Sequence, residues 1–282
     1  MRKATLLSTL LLAAAAALPA ALHASPEVPA SVTADPAMAK VLADPRRDKD
    51  RARDAFRHPA ETLAFFRIKP GMTVADYMPS SGWYTRILVP YLGDEGTYIG
   101  ITASPANASG DTKIRLEAFP GSFPGKAAGW TGVPAERIPA FTLDAPPPER
   151  KGTVDRVMIM REFHNMWPDN FLYTDLAAIR ALLKDDGLLG IEEHRAKADA
   201  PASYTLGTMG YMREADVIAL VEAHGFRLVA KSEINANPKD TANWPEGVWT
   251  LPPVLTLKEK DRAKYEAIGE SDRMTLLFAK RP

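Results

Sequence analysis

Apolar runs of strand length alternate along most of the chain with stretches whose apolar residues recur at helical spacing. Strands are expected near Thr73–Tyr77, Thr97–Thr102, Arg137–Leu143, Val154–Arg161, Leu188–Glu193, Arg227–Glu233 and Met274–Ala279. The clearest helical patterns fall at Trp83–Tyr91, Tyr173–Leu183 and Glu214–Ala223. In "LLKDDGLLGIEEH" a helix, a glycine stop and a buried strand follow one another. Alternation of this kind predicts an α/β fold, a mostly parallel sheet with helices on both faces.

Several segments depart from the pattern. Asp44–Pro59, "DPRRDKDRARDAFRHP", alternates acids and bases at helical spacing, which reads either as a solvated helix laced with weak ion pairs or as arginines set over the mouth of a site. Pro105–Gly132 is rich in glycine and proline and reads as a long irregular connection. Residues 235–264 form an insertion between the last two strands, and loops of that length inside a compact domain usually cover or wall a ligand. Within it Trp244 and Trp249 either wall a pocket or pin the loop to the core, and Asn237–Asp240 and Glu270–Asp272 serve as turn-forming caps or as substrate contacts.

At the start of the chain, Arg2 and Lys3 precede an apolar run from Ala4 to Leu18, broken at Pro19 and followed by small residues up to Ala24. Residues 1–24 read as a secretory signal peptide, since a run of about 15 apolar residues is short against the roughly 20 that span a bilayer. Residues 25–44, rich in proline and alanine, are expected to tether one domain spanning 45–282. The expected location is periplasmic or secreted, with no stable membrane insertion after cleavage. The whole chain of 282 residues carries 35 basic and 35 acidic groups; without Arg2 and Lys3 the balance is 33 against 35. That near neutrality offers no electrostatic case for nucleic acid. Cysteine is absent, which excludes disulfides and thiolate metal sites.

The candidate chemistry starts at "VADYMPSSGWYTRIL", Val74–Leu88. A strand that ends in an acid and turns into a helix presents backbone N–H groups and a helix N-terminus to a polar ligand. Glycine suits such turns, yet here Met78, Ser80 and Ser81 stand before Gly82. With "FTLDAPPPERKGTVDRVMIMREFHNMW", "GYMREADVIALVEAHGFRLVAKSEINANPKD" and "IGESDRMTLLFAK", this order of segments resembles the class I S-adenosylmethionine-dependent methyltransferase domain, and within it a family of exported predicted methyltransferases. The resemblance implies a Rossmann-like fold with a seven-stranded, mostly parallel sheet, and S-adenosylmethionine as cofactor. It places Asp76, Tyr77, Pro79, Ser80, Ser81 and Gly82 along the cofactor's methionine part, Thr102 at the ribose and Asp144 at the adenine amino group, and gives Asp155 a structural role.

"REFHNMW" and "IEEH" end neighbouring strands and bring a second set of polar residues to the same edge. His164 is the first candidate for a general base and Glu193 the second, with Arg161, Asn165, Trp167 and His194 as substrate contacts. No metal is expected, because no close HxH or HExxH spacing occurs; a metal-dependent hydrolase would need His164, His194 and a carboxylate to converge. Two readings remain open: an exported methyltransferase acting on a small-molecule acceptor, and a binding or scaffold protein that keeps the fold without the cofactor.

Overall fold

A computed structural model describes residues 35–282, so the expected signal peptide and the first half of the expected tether lie outside the described residues. The described helices are α1 (Pro36–Leu42), α2 (Asp54–Arg57), α3 (Pro59–Phe65), α4 (Thr85–Leu92), α5 (Gly110–Thr131), α6 (Phe163–Met166), α7 (Leu172–Leu182), α8 (Ala202–Thr205), α9 (Glu214–Ala223) and α10 (Arg262–Ile268). The strands are β1 (Thr73–Tyr77), β2 (Thr97–Thr102), β3 (Ala140–Thr142), β4 (Val154–Met160), β5 (Leu183–His194), β6 (Phe226–Ser232) and β7 (Arg273–Lys280).

The seven strands form one sheet in the order β3-β2-β1-β4-β5-β7-β6. Every pairing is parallel except those of β7, which runs antiparallel to both β5 and β6. The order reverses between β1 and β4, and in an open α/β sheet that switch point is where ligands bind, beyond the carboxyl ends of the strands.

Alternation along each strand divides the core. Ala75, Tyr77, Ile99, Ile101, Val157, Ile159, Leu189 and Ile191 face α7 and α9, whose Leu176, Ile179, Val217 and Val221 complete one apolar cluster. Val74, Tyr98, Met158 and Leu188 belong to a second cluster with α1, α3, α4 and α5. Glycine makes sockets on that face: a Cβ on Gly100 would come 2.5 Å from the Phe123 ring, and one on Gly190 would come 2.7 Å from Phe66. A third cluster joins the insertion, through Trp244, Val248 and Leu251, to Tyr211 and Ala196.

Four expectations need correction. Residues 35–44 belong to the folded domain and not to a tether, because Asp35 caps α1 and Met38 and Val41 are buried in the second cluster. Asp44–Pro59 is not a solvated helix: it folds as two 3-10 turns and α2, with Arg47 and Arg57 buried on Asp54 and Glu270. The expected irregular segment after Pro105 contains α5, 22 residues long despite Pro120 and Pro124. Its Leu116, Phe123, Ala127 and Thr131 recur at helical spacing and are buried, and burying a ring such as Phe123 stabilises by about 1.5–3 kcal/mol, comparable to the roughly 3 kcal/mol cost of an interior proline. Finally, α7 ends at Leu182, ahead of the expected glycine stop, and β5 starts at once with a register shift opposite Val154/Arg156.

Candidate functional site

Asp76, one residue before the end of β1 and on the α4 side, is buried and accepts a hydrogen bond from the Tyr98 hydroxyl at 2.9 Å; Thr85 Oγ1 lies 2.8 Å from the same hydroxyl. Burial pushes the Asp76 carboxyl up to about 7, against the opposing pull of Tyr98 and Arg161. A cation brought beside this carboxyl would offset the cost of burying its charge. Tyr77 points the opposite way, its hydroxyl donating to the buried Asp175 of α7 at 2.7 Å, so the strand end is fixed on both faces.

The turn that follows keeps a glycine-like path without the glycines. Met78 (φ 48°), Ser80 (φ 51°) and Gly82 (φ 75°) all take positive φ, at every second position. At Gly82 the requirement is also steric, since a Cβ there would come 2.2 Å from the Trp130 ring of α5. Pro79 O accepts from Gly82 N at 2.8 Å and closes the turn.

Two cavities meet at this turn. One, of about 450 Å³, is lined on its polar side by Asp76, Arg161, His164, His194, Arg53 and Arg57. The other, of about 600 Å³, takes in Thr102, Phe119, Phe123 and Lys126. Tyr77, Met78, Ser80, Glu162 and Asn165 line both. Pro79 and Ser81 line the first only. Met78 thus stands where the cavities join, with its side chain packed on the α7-side cluster.

Glu193 organises the histidines. Its Oε1 lies 2.9 Å from His164 Nδ1 and accepts from His194 N at 2.7 Å, while Oε2 accepts from His164 N at 3.0 Å. Burial works against charge on His164, but Glu193 outweighs it and raises the imidazole above its ordinary value. His194, with Nδ1 2.6 Å from Ser271 Oγ, is held well below its ordinary value by burial and by the charges of His164, Arg273 and Arg161. The two rings lie 5.4 Å apart, one favouring the charged form and the other the neutral form.

One ligand atom each from His164, Glu193 and His194 lies within 4.8 Å of the others, so the convergence that a metal reading requires does occur. The surroundings fit a cation poorly. Both Glu193 oxygens already accept hydrogen bonds, and three arginines bear on His194.

Among the other expected site residues, Arg161 and Asn165 reach the cavities, Asn165 donating to Glu162 Oε2 at 2.8 Å. Trp167 is exposed at the end of α6, and Asp144 is exposed in the turn after β3; neither lines either cavity. Asp155 fastens the strand starts, accepting from Thr73 N at 2.8 Å and from Lys184 Nζ at 2.6 Å. Of the open alternatives, Trp249 walls the first cavity, whereas Trp244 pins the insertion by donating to the buried Asp240 at 2.7 Å. Asp240 also receives Tyr211 OH and the backbone of Ala242 and Asp272, a capping role. Arg53 and Arg57 line the first cavity, in keeping with the reading of arginines over the mouth of a site, and Glu270 and Ser271 line it too. Trp83, Tyr84 and Glu162 line it too and carried no sequence signal beyond their place next to the motifs.

No family model matches the chain, and no curated protein does. Solved structures similar to it include a SAM dependent methyltransferase from Aquifex aeolicus, with 20% identity, 71% of this chain and 93% of that chain covered, and a TM-score of 0.47. The [4+2]-cyclase SpnF aligns at 16% identity over 80% of this chain and 81% of its own, with a TM-score of 0.49. The Burkholderia thailandensis 1,6-didemethyltoxoflavin-N1-methyltransferase aligns at 16% over 84% and 82%, with a TM-score of 0.45. The seven-stranded, mostly parallel sheet with its antiparallel β7 is the Rossmann-like architecture that the sequence resemblance implies.

Proposed function

We propose that the chain is an exported S-adenosylmethionine-dependent methyltransferase acting on a small-molecule acceptor in the periplasm or outside the cell. The observation that carries this reading is the turn after β1, whose positive φ at Met78, Ser80 and Gly82 keeps the backbone open beside Asp76 at the switch point of the sheet. Asp76 is suited to the cofactor's amino group, and Thr102 with the Phe119 and Phe123 side of the larger cavity to its nucleoside. The cofactor, when bound, supplies an electrophilic methyl group on a sulfonium. The chain's own residues orient and protect: Arg161, Asn165 and Trp249 position the acceptor, and His164, held by Glu193, takes up the proton that a hydroxyl or amine acceptor releases.

One observation favours a second reading, a binding protein that keeps the fold without turnover: Met78 stands at the junction of the two cavities, where a bound cofactor would pass. Calorimetric titration of the chain from Ser25 onward with S-adenosylmethionine and S-adenosylhomocysteine separates them. Micromolar binding lost in Asp76→Ala supports the enzyme. Absence of binding up to millimolar by a folded protein supports the binding protein. Amino-terminal sequencing of the protein recovered from outside the cytoplasm tests export, with Ser25 the expected first residue.

A further inference from the structure

Four guanidinium groups, of Arg53, Arg57, Arg161 and Arg273, converge on two carboxylates, Glu192 and Glu270. Both carboxylates are fully engaged. Glu270 accepts from Arg53 Nε at 2.6 Å and Arg57 Nε at 3.1 Å and faces Arg273 Nη1 at 3.3 Å. Glu192 meets Arg161 Nη1 at 3.2 Å, Arg273 Nη1 at 2.8 Å and the Tyr84 hydroxyl at 3.3 Å.

A surplus of donors is left over. Arg57, its side chain only 5% exposed, lies over the Trp83 ring at 4.8 Å and is hydrogen-bonded through Nε alone, so neither of its Nη groups has a hydrogen-bond partner among the described residues. Arg161 is engaged only through Nη1. Arg53 Nη2 and Trp83 Nε1 are buried and also without a partner. All four side chains line the smaller cavity. The other acids there do not balance them: Asp76 is turned to Tyr98 and Glu162 to Asn165, and burial pushes both carboxyls upward. Burial and the neighbouring Arg161 bring Arg57 down to about 9, the mark of a guanidinium short of negative charge.

We propose that this basic end of the cavity, formed by Arg53, Arg57, Arg161 and Trp83, binds an anionic group, a carboxylate or phosphate, on the methyl acceptor. Planar guanidinium forks suit such oxygens and gain most from them where water is excluded. The cofactor's own carboxylate does not use up the donors. One carboxylate forms a two-bond fork with the Nη groups of Arg57, which leaves the donors of Arg161, Arg53 and Trp83 for a second anion. Trp249 and Pro252 of the insertion wall the same cavity, which gives the rest of the acceptor an apolar surface. The word acceptor rests on the methyl-transfer reading; the anion site itself does not.

The test titrates the full mature chain, at constant ionic strength, with inorganic phosphate and with benzoate, following tryptophan fluorescence and using chloride as control. S-adenosylhomocysteine and 5′-methylthioadenosine, which lacks the amino and carboxyl groups, are titrated in parallel. Saturable binding of an anion that chloride does not reproduce is expected, weakened about tenfold in Arg161→Gln and in Arg57→Lys, with S-adenosylhomocysteine affinity changed less than about twofold. Arg57→Lys keeps a cation beside Glu270, and a melting curve like the wild type's separates lost binding from lost folding; the wild-type titration needs no variant. Failure of both anions to bind the wild type overturns the proposal. So does a loss of S-adenosylhomocysteine affinity in Arg57→Lys that spares methylthioadenosine, because the arginines then hold the cofactor's carboxylate. Anion binding without any binding of S-adenosylhomocysteine sustains the site and sinks the methyl-transfer reading instead.

Discussion

His164 Nδ1 lies 2.9 Å from one oxygen of Glu193, and the backbone N–H of His164 donates to the other oxygen at 3.0 Å. Ring and main chain are gripped by a single buried carboxylate, which fixes the imidazole plane and leaves Nε2 as the ring nitrogen free to exchange a proton.

Replacing Glu193 by Gln keeps the shape and removes the charge, so the raised His164 value falls in Glu193→Gln. The sign for stability follows from the direction of the shift. A histidine raised above its unfolded value of about 6.5 contributes stability that is complete below that pH and lost as pH rises through the folded value. The stability gap between wild type and variant is therefore widest in mild acid and narrows above neutrality. Histidine titrations followed by NMR, with denaturant melts at several pH values, measure both; an unmoved His164 resonance in the variant contradicts the assigned role of Glu193.

Asp76 behaves in the opposite sense. Burial raises it to about 7, so between about pH 4 and 7 the unfolded chain has lost a proton that the folded chain retains, and stability falls across that window. Asp76→Asn preserves an acceptor for Tyr98 and removes the titration. The variant is expected to match wild type near pH 4 and to exceed it at pH 8, by more than about 1.4 kcal/mol, the equivalent of one pKa unit. Its affinity for S-adenosylmethionine drops by about tenfold or more as the counter-charge to the amino group is lost. Thermal melts at the two pH values and calorimetry decide; equal stability at pH 8 rules out a buried, neutral-leaning carboxyl.

Gly82 is held by Trp130. Adding a methyl group at Gly82 both strains a φ of 75° and drives a Cβ to 2.2 Å from the ring, so Gly82→Ala is expected to cost about 2–3 kcal/mol. Trp130→Ala removes the collision, and in the double variant the further cost of the alanine shrinks to its backbone part of about 1 kcal/mol. Additive losses in a double-mutant cycle of urea melts show that the ring does not rest on the turn.

The sheet was legible because β1, β2, β4 and β7 are buried on both faces and read as apolar runs bounded by turns. The histidine cluster was legible because "REFHNMW" and "IEEH" follow neighbouring strands, and adjacency of strand ends is a property of fold order. Helix α5 was not legible, since Pro120, Pro124 and its glycines mask a stripe that only the cover over β2 and β3 rewards. The arginine cluster showed only as a charge run: Arg57 meets Glu270 across 213 residues of chain, and no local pattern reports a partner that distant.

The turn itself supplies the last prediction. Met78 and Ser80 occupy positive φ at a cost of roughly 1–3 kcal/mol each, which glycine would not incur. Ser80 is exposed, so Ser80→Gly relieves strain with little packing lost, and the melting midpoint is expected to hold or rise despite the greater freedom glycine gains on unfolding. Met78 also packs on the α7-side cluster, so Met78→Gly trades that contact for relief and is expected to lose stability by about 1–2 kcal/mol while opening the junction between the two cavities. If Met78 narrows the path of a bound cofactor, Met78→Gly binds S-adenosylhomocysteine about tenfold more tightly than wild type. If the affinity falls instead, the thioether is part of the ligand's wall, and the turn is adapted to the methionine rather than obstructed by it.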